Sequence, residues 1–105
     1  MDNSILVIPL RFVNMEALVS KSLYRPETTA LLKLIKDCRI EAGLTQADFA
    51  KALDRPQSFA SDIERGSRRL DLVQLRDVCE VLGITLATFI ERFERSISES
   101  TKEQQ

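Results

Sequence analysis

Apolar residues recur at intervals of three and four through most of the chain, and the breaks between these stripes predict five helices. Leu31, Leu34, Ile35 and Cys38 make the first stripe, on a segment that opens at Pro26-Glu27 and reaches about Ala42. Pro26 sacrifices no hydrogen bond in a first turn, and Glu27 meets the positive end of the helix dipole. Gly43 stands where such a helix stops. Thr45 then caps a second helix bearing Ala47, Phe49, Ala50 and Leu53, and Asp48 three residues on completes a capping box. A third, over about Pro56–Arg65, is apolar at Phe59, Ala60 and Ile63 and ends before Gly66. Asp71 caps a fourth, Leu72–Leu82, whose stripe is Leu72, Leu75, Val78, Cys79 and Leu82, and Gly83 stops it. Thr85 caps a fifth, running through Leu86, Phe89, Ile90 and Phe93 toward Ile97, after which the polar run SESTKEQQ is expected to fray.

Residues 1–25 break this pattern. Ile5–Val13 is a short β-favouring run, interrupted by Pro9 and Arg11 and too short to span a bilayer. Asp2 stands where a signal peptide would be basic, and no small-residue cleavage site follows. The run reads either as an N-terminal extended arm whose edge strand pairs with a second subunit, or as a disordered extension with the working protein beginning near Met15. The expected organisation is therefore an arm at 1–25, a domain at 26–95 and a polar tail at 96–105.

A chain of 105 residues, 44% apolar and 30% charged, is an ordinary globular domain with one modest core. The net charge of −1 argues against an indiscriminate nucleic-acid binder but not against one with its basic residues on one face. From Arg55 to Arg69 four arginines stand against two acids. Cys38 and Cys79 lie inside helical patterns without a CxxC and read as small buried residues of a reducing, cytoplasmic compartment. With no histidine, no glycine-rich phosphate loop and no nucleophile–base pair, the sequence points away from an enzyme, and no metal, cofactor or small-molecule ligand is expected.

The chemistry concentrates in GLTQADFAKALDRPQSFASDIERG, residues 43–66. Two short helices flank a tight turn, and the second buries one side while showing short hydrogen-bonding side chains on the other, an arrangement suited to a DNA major groove. Arg39 four residues before Gly43, the Gly43-Leu44-Thr45-Gln46 opening, the small Ala50, the run Ser61, Ile63, Glu64, Gly66 and the later Leu82-Gly83-Ile84 stand in order. Together they resemble the Cro and phage-repressor (Xre-like) family of helix-turn-helix transcriptional regulators over about Leu31–Phe93. The resemblance implies an all-α, five-helix lambda-repressor-like DNA-binding domain with its helix-turn-helix at 45–65. Two departures stand out. Asp54 occupies the turn position that normally holds Gly, and tolerates the left-handed conformation better than most residues; Pro56 replaces a capping Ser or Thr.

Gln57, at the helix N-terminus, is suited to pair bidentately with adenine N6 and N7, and by resemblance its position reads bases. Ser58 could serve a base edge or a phosphate, and Ser61 and Asp62 complete the outer face. Asp62 could accept from cytosine N4 or be a solvated or arginine-paired charge. Phe59 could touch a thymine methyl or pack against the second or fourth helix. By resemblance Gln46 grips a phosphate, and Arg39 with Glu64 forms a partly buried ion pair. Arg55, Arg65, Arg68 and Arg69 are the remaining phosphate candidates, each with the alternative of an ordinary solvated arginine.

One such domain contacts too few base pairs to select a site, and the family answers with two-fold symmetry. Phe89, Ile90, Phe93 and Ile97 are the expected dimer interface, or else they close the single core. The implied function is a sequence-specific double-stranded DNA-binding regulator, a repressor bound as a homodimer to a palindromic operator. The rival is an antitoxin-like or adaptor protein that uses the same fold to bind a protein partner.

Overall fold

The computed structural model describes residues 25–104, and among them five helices follow one another. They are α1 (Pro26–Glu41), α2 (Gln46–Ala52), α3 (Gln57–Arg65), α4 (Leu72–Leu82) and α5 (Leu86–Gln104). The N-terminal arm expected at 1–25 lies, but for Arg25, outside the described residues.

The caps act where the pattern placed them. The Thr45 hydroxyl accepts from the Asp48 N–H at 3.0 Å, and the Asp48 carboxylate accepts from the Thr45 N–H at 3.2 Å. Asp71 and Gln74 make the same reciprocal pair at the start of α4, and the Thr85 hydroxyl accepts from the Thr88 N–H. Each exchange satisfies an amide that the first turn leaves without a partner. Pro56 is the N-cap of α3 rather than a residue within it, and no side chain caps that helix.

The helix C-termini close alike. In α1 the Leu44 N–H reaches the Arg39 carbonyl and Gly43 reaches Ile40; after α2, Arg55 reaches Ala50 and Asp54 reaches Lys51. This six-to-one and five-to-two closure needs a left-handed residue, and Asp54 supplies it at φ 61° without being glycine. At Gly66 the same closure has a second reason for glycine, since a Cβ there would stand 2.9 Å from Leu32 Cδ1.

Phe49, Phe89, Ile35, Ile63, Val78 and Cys79 form the innermost core, with Leu34, Cys38, Ala50, Phe59, Ala60 and Leu82 around them. α2 packs chiefly on α3, and α1 chiefly on α5. Arg92 of α5 locks that second contact, donating to both carboxylate oxygens of Glu41 at 3.2 Å. Two expectations need correction. Leu72 has the phase of the α4 stripe but is 66% exposed, because the first turn of α4 carries it past the edge of the core, and Leu70 and Leu75 pack there instead. The segment 98–104 is helical rather than frayed, since no Gly or Pro after Gly83 interrupts α5.

Cys38 and Cys79 are free and buried. Burial pushes the Cys38 thiol up and the Cys79 thiol up to about 11. The folded chain thus holds protons that unfolded thiols release near pH 9. Stability should be unaffected by the thiols below that value and decline from pH 9 toward 11, and a Cys79→Ala variant should show a shallower decline in denaturant titrations.

Asp54→Gly should raise the melting temperature by a few degrees, relief of the left-handed strain exceeding the extra chain entropy of glycine. Gly66→Ala should lower stability by about 1–2 kcal/mol or more, because the left-handed strain and the approach to Leu32 add. Calorimetry of both variants checks the pair.

Candidate nucleic-acid interface

The orientation of α3 is set by a buried charge pair. Arg39 of α1 donates from Nε to Glu64 Oε2 at 2.6 Å and from Nη2 to Glu64 Oε1 at 3.2 Å. Its Nη1 donates to the Leu44 carbonyl at 2.7 Å, and Gln46 Nε2 of α2 donates to Glu64 Oε1 at 3.1 Å. The two charged side chains keep only 10% and 6% of their surface. Four hydrogen bonds thereby join α1, α2, α3 and the loop between the first two. Gln46, expected on a phosphate, has its amide nitrogen committed to this network.

With Ala60 and Ile63 buried beneath it, α3 turns Gln57 and Ser58 outward at its first turn, both exposed. Among the described residues the Gln57 amide makes no hydrogen bond. Ser61 is half-buried, donating to the Ser58 carbonyl at 3.2 Å and accepting from Arg65 Nη1 at 3.4 Å. Asp62 is held by Arg65, so of the two roles open to it the structure shows the arginine-paired one. The Asp62 carbonyl meanwhile receives the Ser67 and Arg68 amides, which turns the chain sharply after the helix.

Of the two roles open to Phe59, the structure shows the packed one. It is buried, with the guanidinium carbons of Arg55 and Arg68 over its ring at 4.7 and 4.8 Å from the centroid. Arg69 stays exposed in the loop beside Arg68. A shallow cleft of about 390 Å³ beside the start of α3 is lined by Ala47, Lys51, Asp54, Arg55, Pro56 and Gln57. Lys51 thus stands near Gln57 as a further cation that the sequence reading passed over; its place four residues after Ala47, on the outer side of α2, was the available signal.

The expected dimer face divides. Phe89 is fully buried and belongs to the core, so it is removed from any interface. Ile90 is 38% exposed, Phe93 packs partly against the core, and Ile97 is half-buried.

A helix-turn-helix family model matches residues 35–89, the span that carries all of this geometry up to the start of α5. The chain belongs to that family, as a DNA-binding transcriptional regulator of the Cro/XRE type, a class that is not enzymatic. It is similar to the control protein C.MunI of Mycoplasma sp, 35% identical over 63 residues that cover 60% of this chain and 85% of that one. An XRE-family like protein from Pseudomonas syringae pv. tomato str. DC3000 superposes with a TM-score of 0.65 at 35% identity, over 74% of this chain and 95% of its own. A mutant of the restriction-modification controller protein C.Esp1396I gives 0.62 at 30% identity, over 66% and 92%.

Removing one member of the buried pair strands the other charge, so Glu64→Gln and Arg39→Met should each cost about 3 kcal/mol or more. The double variant should cost clearly less than the two losses together. Denaturant unfolding of all four proteins measures this coupling, and strictly additive losses would show that the pair does not act as a unit.

Proposed function

We propose that the protein is a repressor that binds a palindromic operator as a homodimer. Its recognition helix is α3, with Gln57 and Ser58 reading base edges and Ser61 lying against the groove wall. The observation that carries this reading is the exposed, hydrogen-bond-ready Gln57 at the first turn of a helix seated rigidly by the Arg39–Glu64 pair. Arg55 just before α3 and Arg68 and Arg69 just after it supply phosphate contacts, with Lys51 adding charge from α2. The uncapped amides of α3 favour a nearby phosphate.

Two recognition helices set about 34 Å apart would span successive major grooves. Ile90, Phe93 and Ile97, at helical spacing along α5, are the surface we assign to the second protomer. Asp62, whose charge favoured a protein-binding role, is neutralised by Arg65, which weakens the adaptor reading. Relatives that include control proteins make the DNA upstream of the protein's own gene the first target to try, and such a regulator would act in the cytoplasm.

Mobility shifts on that DNA across a salt series test the proposal. We expect a specific complex whose affinity falls steeply with salt. Gln57→Ala should cost about 1–3 kcal/mol on the operator and little on unrelated DNA, reducing discrimination between them. Lys51→Ala should weaken both about equally. Absence of a specific shift at low salt would reject the assignment.

A further inference from the structure

Arg55 precedes α3 and Arg68 follows it, yet both guanidinium groups rest on one aromatic ring. Phe59 is 7% exposed and part of the core, so its ring cannot follow the arginines if they move away. Arg25, Arg39, Arg65 and Arg92 each have a carboxylate partner. Arg55 and Arg68 have none among the described residues. Their charges can be no farther apart than the two ring distances laid end to end. Two unpaired cations held this close repel each other and raise the local positive potential, and an anion between or beside them relieves both effects.

We propose that Phe59 is a positioning residue for phosphate binding: its ring holds Arg55 and Arg68 as a preset pair that receives the DNA backbone beside α3. The inference rests on the DNA-binding reading above. A solvated arginine loses rotamer freedom when it grips a phosphate, whereas one already stacked on a fixed ring loses less. The stacking uses the face of the guanidinium and leaves its N–H edge for phosphate oxygens, so the two interactions do not compete. Phe59 therefore acts on affinity without touching DNA, and equally for every sequence.

The test is Phe59→Leu, which keeps an apolar side chain in the core and removes the ring, with Phe59→Met read in the same way should the leucine variant not fold. Circular dichroism confirms folding, and fluorescence anisotropy measures binding to the upstream duplex and to an unrelated duplex over a salt series. Phe59→Leu should weaken both complexes by the same factor, about tenfold. The Arg55→Ala/Arg68→Ala chain should lose about two units of the log–log salt slope. In that background Phe59→Leu should have no further effect on either affinity. Equal losses in both backgrounds, or a loss confined to the upstream duplex, would overturn the inference while leaving the regulator reading intact. Failure of the unaltered chain to bind DNA would overturn both.

Discussion

A single buried salt bridge governs how this small domain holds α3 against α1 and α2. Arg39 and Glu64 are taken from water almost completely, which is costly for any pair of charges. The cost is offset because the guanidinium and the carboxylate are met by a backbone carbonyl and an amide side chain as well as by each other. An apolar contact could slide; this network cannot, since each bond demands a direction. The core around Phe49 and Phe89 supplies cohesion, while the charge network supplies the angle at which α3 stands on α1 and α2.

Short helices joined by tight connections depend on how the chain leaves each one. Two consecutive helices, α1 and α2, end with the same pair of backbone hydrogen bonds, although one closing residue is glycine and the other aspartate. The repeated closure reverses the chain in few residues and delivers it to the next cap. A domain with so little hydrophobic interior gains from satisfying its polar backbone at every joint.

Much of this was legible in the chain. The Thr45–Asp48 capping pair and the cap at Asp71 placed the starts of α2 and α4, and Asp54 was assigned to the turn because it stands where the resembled family carries glycine. What was not legible depended on depth or on distance. Periodicity gives Leu72 and Phe89 the same signature, yet one overhangs the core and the other lies at its centre. The stacking of Arg55 and Arg68 on Phe59 joins two loops through a helix, and no local pattern announces such a meeting. Ion pairing of Asp62 was one of two open choices, and the structure pairs it with Arg65 three residues on along α3.

The outward side chains of Gln57 and Ser58 carry none of the fold's weight: the caps, the closures, the salt bridge and the core all lie elsewhere. Substitutions there are free to accumulate without threatening the architecture. If those side chains read bases as proposed, target preference can shift through surface drift alone, with descendants diverging in what they recognise long before they diverge in shape.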